Sequence, residues 1–117
     1  MKIEVIHTAF ENSPQTVAMV KVGKDTHPYL GGDHPIKTMD DALDHAYVCT
    51  QNVYDSWSMK GLHDGCDDVT VLGKLPKVKG QLFGIRSTSV DDILVVRRFF
   101  GLKKTSYRVS SVGFEKL

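Results

Sequence analysis

Hydrophobic and polar positions along this 117-residue chain change period several times, and each change marks an element. Lys2 to His7 alternates around Ile3 and Val5, the two-residue repeat of a half-buried strand. Glu11-Asn12-Ser13-Pro14-Gln15 gathers turn formers around a proline of fixed φ and leads into a second strand. That strand, Thr16 to Val22, is apolar and β-branched. Gly23 to Pro35 is dominated by glycine, proline, aspartate and histidine and breaks the pattern. A loop of that length inside a compact domain is often functional. Thr38 then offers an N-cap, with Asp41 three residues on to complete a capping box. Met39, Ala42, Leu43, Ala46, Tyr47 and Thr50 share one helical face, and Asp40, Asp41 and Asp44 lie where the helix dipole favours negative charge. The spacing predicts a helix from Met39 to Asn52.

Asp55 to Asp68 is irregular again and holds the only tryptophan, Trp57. Strands are predicted at Asp68 to Leu72, Gln81 to Arg86 and Asp92 to Phe100. The last is apolar on both faces, Ile93 and Val95 against Leu94 and Val96, as a central strand should be. Gly101 to Thr105 turns, Ser106 to Val112 returns as a hairpin partner, and Gly113-Phe114 closes the chain. The order predicts a single α+β domain over residues 1–117, with one amphipathic helix packed on a mainly antiparallel sheet. Leu43, Tyr47, Val95 and Val96 should be buried in it.

Composition narrows the class without naming a function. With 41% hydrophobic and 25% charged residues, the chain is neither a disordered tail nor a collagen-like repeat. No apolar run approaches the roughly 18 residues that cross a membrane. Glu4 stands where a signal peptide would keep its apolar stretch, so the expected compartment is a reducing cytoplasm, with no membrane partner. Two cysteines, Cys49 and Cys66, make no disulfide framework. The net charge of +1 hides a segregation. Residues 1–70 carry 5 basic and 11 acidic side chains, net −6, whereas residues 71–117 carry 10 basic and 3 acidic, net +7. Such a split suits self-association, a symmetric dimer being the simplest form, or a basic surface for an anion. The overall pI of about 7.8 lies below that of a general nucleic-acid binder, so nucleic acid is not an expected partner.

Candidate chemistry is sparse. Structural zinc sites show tight ligand pairs, and here His63 and Cys66 form one loose His-x-x-Cys pair among the scattered His7, His27, His34 and His45. No metal and no cofactor is therefore expected. Ser87, Ser89, Ser110, Ser111 and Cys66 lack the glycine-flanked setting of a nucleophile elbow. Asp40/Asp41, Asp67/Asp68 and Asp91/Asp92 fit a helix cap and turns better than acid–base pairs. An enzyme is not expected. What remains is a cluster of Arg86, Arg97, Arg98, Lys103, Lys104 and Arg108 interleaved with Phe83, Phe99, Phe100 and Tyr107. A nucleotide needs a cation for its phosphate and a flat apolar face for its base, and these residue types supply both. The same aromatics also fit a core, and Lys103-Lys104 fits a solvated hairpin tip. Ser87, Thr88 and Ser89 can bind an anion or hydrogen-bond their own turn.

Two stretches together carry a resemblance. Thr38-Met39-Asp40-Asp41-Ala42-Leu43 continues through Ala46-Tyr47 and Thr50-Gln51-Asn52-Val53 to Ser56-Trp57-Ser58. Gly84-Ile85-Arg86-Ser87-Thr88-Ser89-Val90-Asp91-Asp92 is followed by Tyr107-Arg108-Val109 and Val112-Gly113-Phe114. Over roughly residues 38 to 114 this resembles small proteins of phages and mobile elements, in which a G-x-R-S-x-S-V-x-D turn precedes a hairpin ending in Gly-Phe. Their pattern often has glycine where Asp91 stands, so here aspartate must make a tight turn. The resemblance implies a mobile-element origin, and a relation in role to the anti-Thoeris sponges, which cage a nucleotide signal between subunits. It would place the protein in the cytoplasm of an infected or host bacterial cell. On that reading Arg86 and Arg108 hold phosphate, Phe83 or Tyr107 stacks on the base, and Ser87 and Ser89 assist. The competing class is a protein-binding inhibitor of a host complex, with Asp40, Asp41 and Asp44 as its contact face.

Overall fold

Alternation at the start of the chain builds the middle of the sheet. In the computed structural model, which describes residues 1–23, 26, 35–53, 55–60 and 66–117, the first strand buries Ile3, Val5 and His7 on one face and turns Lys2, Glu4 and Ile6 to the other. In chain order the elements are β1 (Lys2–His7), β2 (Gln15–Lys21), α1 (Met39–Cys49), β3 (Val69–Val71), β4 (Lys77–Val78), β5 (Gln81–Leu82), β6 (Ile93–Arg98), β7 (Lys103–Ser110) and β8 (Gly113–Lys116). Six strands form one antiparallel sheet in the order β3-β2-β1-β6-β7-β8, and β4 and β5 form a separate ribbon. One helix and a mainly antiparallel sheet are compatible with the α+β class, with strands predominating.

The helix covers one face of the sheet, and no helix among the described residues covers the other, called the open face below. Ala42, Leu43 and Ala46 join Ile3, Val5, Ala18, Val20, Leu94 and Val96 in the core. A bulge helps: Val5 pairs Ala18 but Ile6 pairs Thr16, so Val17 and Ala18 are consecutive yet both buried. The capping box forms, with the Asp41 amide donating to Thr38 Oγ1 at 3.0 Å and the Thr38 amide donating to Asp41 Oδ2 at 3.2 Å. Leu43, Val95 and Val96 are buried, whereas Tyr47 is only half-buried, edge-on to Phe114. No helix among the described residues is long and apolar enough to cross a membrane.

Three expectations need correcting. The helix ends at Cys49 rather than Asn52, because the Thr50 hydroxyl turns back to the Ala46 carbonyl at 3.0 Å and the Thr50 carbonyl accepts from the Thr88 amide. Gln81 to Arg86 is not a strand of the sheet: only Gln81 and Leu82 pair, and they pair with β4. From Phe83 onward the groups a sheet would use are bonded elsewhere, the Ile85 amide to Ser58 Oγ at 2.7 Å and the Arg86 carbonyl to Trp57 Nε1 at 3.0 Å. The last hairpin is also longer and turns earlier, at Phe99–Leu102, and Gly113-Phe114 opens β8 instead of closing the chain. Most of the predicted loop from Gly23 to Pro35, with His27 and His34, and also His63, lie outside the described residues.

Candidate functional site

The G-x-R-S-x-S-V-x-D stretch forms a latch between the helix end and the lower ends of β1 and β6. Fully buried Asp92 accepts from Arg86 Nη1 and Nη2 at 2.7 and 2.8 Å and from the Thr8, Ala9 and Ser89 amides at 2.8–3.0 Å. Arg86 also donates to Glu11, Nη2 to Oε1 at 2.7 Å and Nε to Oε2 at 3.1 Å, and lies over the Phe10 ring. Burial opposes the Asp92 carboxylate, but the Arg86 bonds and the three amides outweigh it and hold its pKa below the ordinary value. Glu11 is lowered chiefly by its bonds to Arg86, and Arg86 is raised, chiefly by Asp92. Buried His7 Nε2 lies 3.0 Å from Thr88 Oγ1, which lies 2.7 Å from Thr50 Oγ1. One proton assignment satisfies this chain: His7 donates to Thr88, Thr88 to Thr50, and Thr50 to the Ala46 carbonyl. Burial lowers the His7 pKa despite the attraction of Asp92.

The sequence-predicted ligand residues do not converge here. Arg86 is held by two carboxylates. Ser87 Oγ accepts from the Asn52 amide at 2.8 Å, while the Ser89 amide serves Asp92, so the hydroxyl-rich stretch holds its own turn and the helix end. Phe83 is exposed after β5. Tyr107 and Arg108 are neighbours on β7 and project to opposite faces: Tyr107 pairs with core Leu94 and packs against the core, and Arg108 lies on the open face. Asp91 does make the tight turn, at φ 76°. A cavity of about 360 Å³ beside the latch includes His7, Glu11, Gln15, Lys74 and Arg86, but Arg86 and Glu11 already neutralise each other there.

Cations gather at the opposite end of the same strands. Lys2 pairs in register with Lys21 on β2 and with Arg97 on β6, and Arg97 pairs with Lys104 on β7. Paired residues share a face, so Lys21, Lys2, Arg97 and Lys104 form one row across four strands, with neighbours about 4.8 Å apart in the hydrogen-bonding direction. Like charges placed opposite each other destabilise a sheet. Glu4 relieves part of this repulsion, accepting from Arg97 Nη2 at 2.6 Å, Arg97 Nε at 3.0 Å and Thr16 Oγ1 at 2.8 Å. Burial opposes the Glu4 carboxylate, yet those bonds and the charges of Arg97 and Lys104 keep its pKa low.

Beside the row opens a cavity of about 960 Å³, lined by Lys2, Lys21, Arg97 and Arg98 and by Met1, Met19, Val22, Phe99 and Phe100. No acidic residue lines it among the described residues. Phe99 and Phe100 form the tip of the β6–β7 hairpin at φ 53° and 57°, followed by Gly101 at 84°. Left-handed backbone suits glycine or asparagine, and a bulky residue held there is strained by about 1–3 kcal/mol. Phe99 is 67% and Phe100 107% exposed there. Sequence reasoning placed Arg97, Arg98, Phe99 and Phe100 in the basic cluster but missed Lys2 and Lys21, which join only through strand register.

A third cluster was also missed. His45 and Cys49, one turn apart on α1, meet Cys66, which the sequence pairs with His63. The two sulfurs lie 3.1 Å apart and are unlinked. The hydrogen bond between them, with burial, pushes the Cys49 thiol up, and the same bond pulls Cys66 down. The i, i+4 spacing of His45 and Cys49 was the available signal. Comparison of the chain with protein-family models, curated proteins and solved structures finds no match.

Proposed function

We propose that the protein is a non-enzymatic binder that sequesters a small nucleotide-derived anion at the basic, aromatic end of its sheet. The observation that carries this reading is the in-register row Lys21–Lys2–Arg97–Lys104 beside the cavity walled by Phe99 and Phe100. Cations repeating every ~4.8 Å across the strands suit a ligand with more than one phosphate, and the phenyl faces suit a base. Arg108 shares the open face with Lys104, two positions further along that face of β7, so it adds positive charge without touching the cavity. An anion between two such faces would neutralise both rows, so ligand should favour a symmetric dimer. The resemblance to phage and mobile-element proteins supports an anti-defence role in a bacterial cytoplasm, with a host signal as the captured molecule.

The test is a thermal-shift panel of mono-, di- and cyclic nucleotides, with light scattering on any hit. A ligand at 100 times its dissociation constant adds about 2.7 kcal/mol of stability. The reading expects nucleotides with two or more phosphates to give the largest shift. It expects that shift to vanish in Lys2→Ala/Lys21→Ala, and the ligand to be released unchanged on denaturation. A chemically altered ligand would make the protein an enzyme. A second reading, an inhibitor docking on a host protein, is favoured by Phe100 and by Leu102, which is 89% exposed, since their own chain covers little of either. A flat panel, with a host protein whose co-purification is lost in Phe100→Gly, would select it.

A further inference from the structure

We infer that His45, Cys49 and Cys66 form a binding site for a zinc-like divalent metal, which ties the helix to the segment entering β3. This site is independent of the anion cavity and lies among different residues. All three side chains are buried, and one donor atom from each falls within 4.8 Å of the others. The donor separations are 3.1 Å between the sulfurs and 3.6 and 3.8 Å from Cys49 Sγ to the two ring nitrogens of His45. Metal–sulfur and metal–nitrogen bonds of about 2.3 and 2.0 Å, set tetrahedrally, separate two sulfurs by about 3.8 Å and a sulfur from a nitrogen by about 3.5 Å. The sulfurs need to open by about 0.7 Å to reach that geometry. A disulfide would instead require them to close by about 1 Å, to about 2.05 Å.

Asp68 supplies what a metal-bound histidine ordinarily has. Its Oδ2 lies 3.2 Å from His45 Nε2, and a carboxylate on the ring of a metal-bound histidine fixes the ring's orientation and raises its basicity. Two thiolates, one imidazole and a divalent ion give a neutral cluster, which a buried site favours. Each thiol that ionises releases its proton to solvent when the metal enters. The ligand chemistry, two sulfurs and a nitrogen, selects zinc over magnesium or calcium. Three protein ligands, two from the helix and one from the chain entering β3, would tie these segments together and leave the fourth tetrahedral position open.

The test titrates reduced protein with Co²⁺ and displaces it with Zn²⁺. One equivalent should produce thiolate-to-metal charge-transfer absorption with tetrahedral d–d bands, and zinc should erase them. Cys49→Ser and Cys66→Ser should each lose the charge-transfer intensity. Asp68→Ala should keep the bands but weaken affinity by about 10- to 100-fold. Should the cysteine variants fail to fold, the wild-type chain still decides: zinc should protect both thiols from alkylation, and a chelator should restore their reactivity. Absence of bands in the reduced wild-type chain, bands that persist in Cys49→Ser, or equal alkylation with and without zinc would each overturn the site.

Discussion

Arginine–carboxylate pairs stand at both ends of the β1–β6 pair, yet the two ends are opposite in kind. At the latch, Arg86 meets two carboxylates, and fully buried Asp92 ties the segment after β1 to the Arg86–Ser89 stretch. At the other end Glu4 is, among the described residues, the one carboxylate bonded to a row of four cations, and two phenylalanines sit in left-handed backbone, exposed to solvent. A positive charge in a sequence therefore means little until its partner is known. Arg86 looks like a phosphate ligand by residue type and serves as a structural tie. Lys2 and Lys21 look like ordinary strand ends and, once paired, become the less neutralised part of the molecule. Strain and unneutralised charge at one end, against saturation at the other, separate a site from a scaffold.

The contrast is sharpest in Asp92→Ala. Removing one partner of a buried ion pair leaves three amides without their acceptor and Arg86 with only the Glu11 carboxylate, and such losses cost about 3–5 kcal/mol. Urea unfolding should show the drop, and Asp92→Asn should recover only part of it because it cannot satisfy the guanidinium fork. A loss below 1 kcal/mol would mean that the latch is not what fastens the helix end. Acid should act on the same end with a smaller effect. His7 has a folded pKa below its ordinary 6.5, so the stability tied to its neutral form is present above that value and lost as pH falls below it. Asp92, Glu11 and Glu4 are also lowered, from 3.8 and 4.5, so their contribution persists above those values and disappears at still lower pH. Melting temperature should fall in two stages on acidification, and His7→Gln should flatten the first.

How much of this the sequence could disclose follows from range. The cap at Thr38, the two-sided strand around Val95 and the buried face through Leu43 are local patterns, and they appear where periodicity puts them. The segment Gln81 to Arg86 has strand-like composition but is claimed by side chains 27 to 29 residues earlier, Ser58 and Trp57, which no local pattern reports. Gly84 belongs to the same contact, since a Cβ there would collide with Ser56 Oγ. His45 and Cys49 fell outside the predicted face because the helix buries a wider stripe than its most apolar residues mark. The cation row is the least legible feature, since it exists only once β2, β1, β6 and β7 are in register.

Substitutions at the open end should leave stability unchanged or raise it, the reverse of the latch. Phe100→Gly replaces a left-handed phenylalanine at φ 57° with the residue that adopts that backbone freely, and should gain about 1 kcal/mol. The same change removes a stacking face, so it should weaken nucleotide binding while raising the melting temperature. A fall in melting temperature instead would mean that the ring packs on its own chain.

The smallest effect is expected from Lys2→Ala. Lys2 stands directly between Lys21 and Arg97, so its removal lowers the repulsion on both sides. Like charges in that position cost about 0.2–1 kcal/mol, partly offset by the packing of the lysine stem that is lost with it. The net change should be a gain of a few tenths of a kcal/mol at low ionic strength, shrinking as salt screens the row over a Debye length of about 10 Å at 0.1 M. Paired melting curves of wild type and variant at two salt concentrations measure it. A loss of stability that is independent of salt would show that Lys2 acts through packing, and that Glu4 already neutralises the row well enough to leave an anion little to gain there.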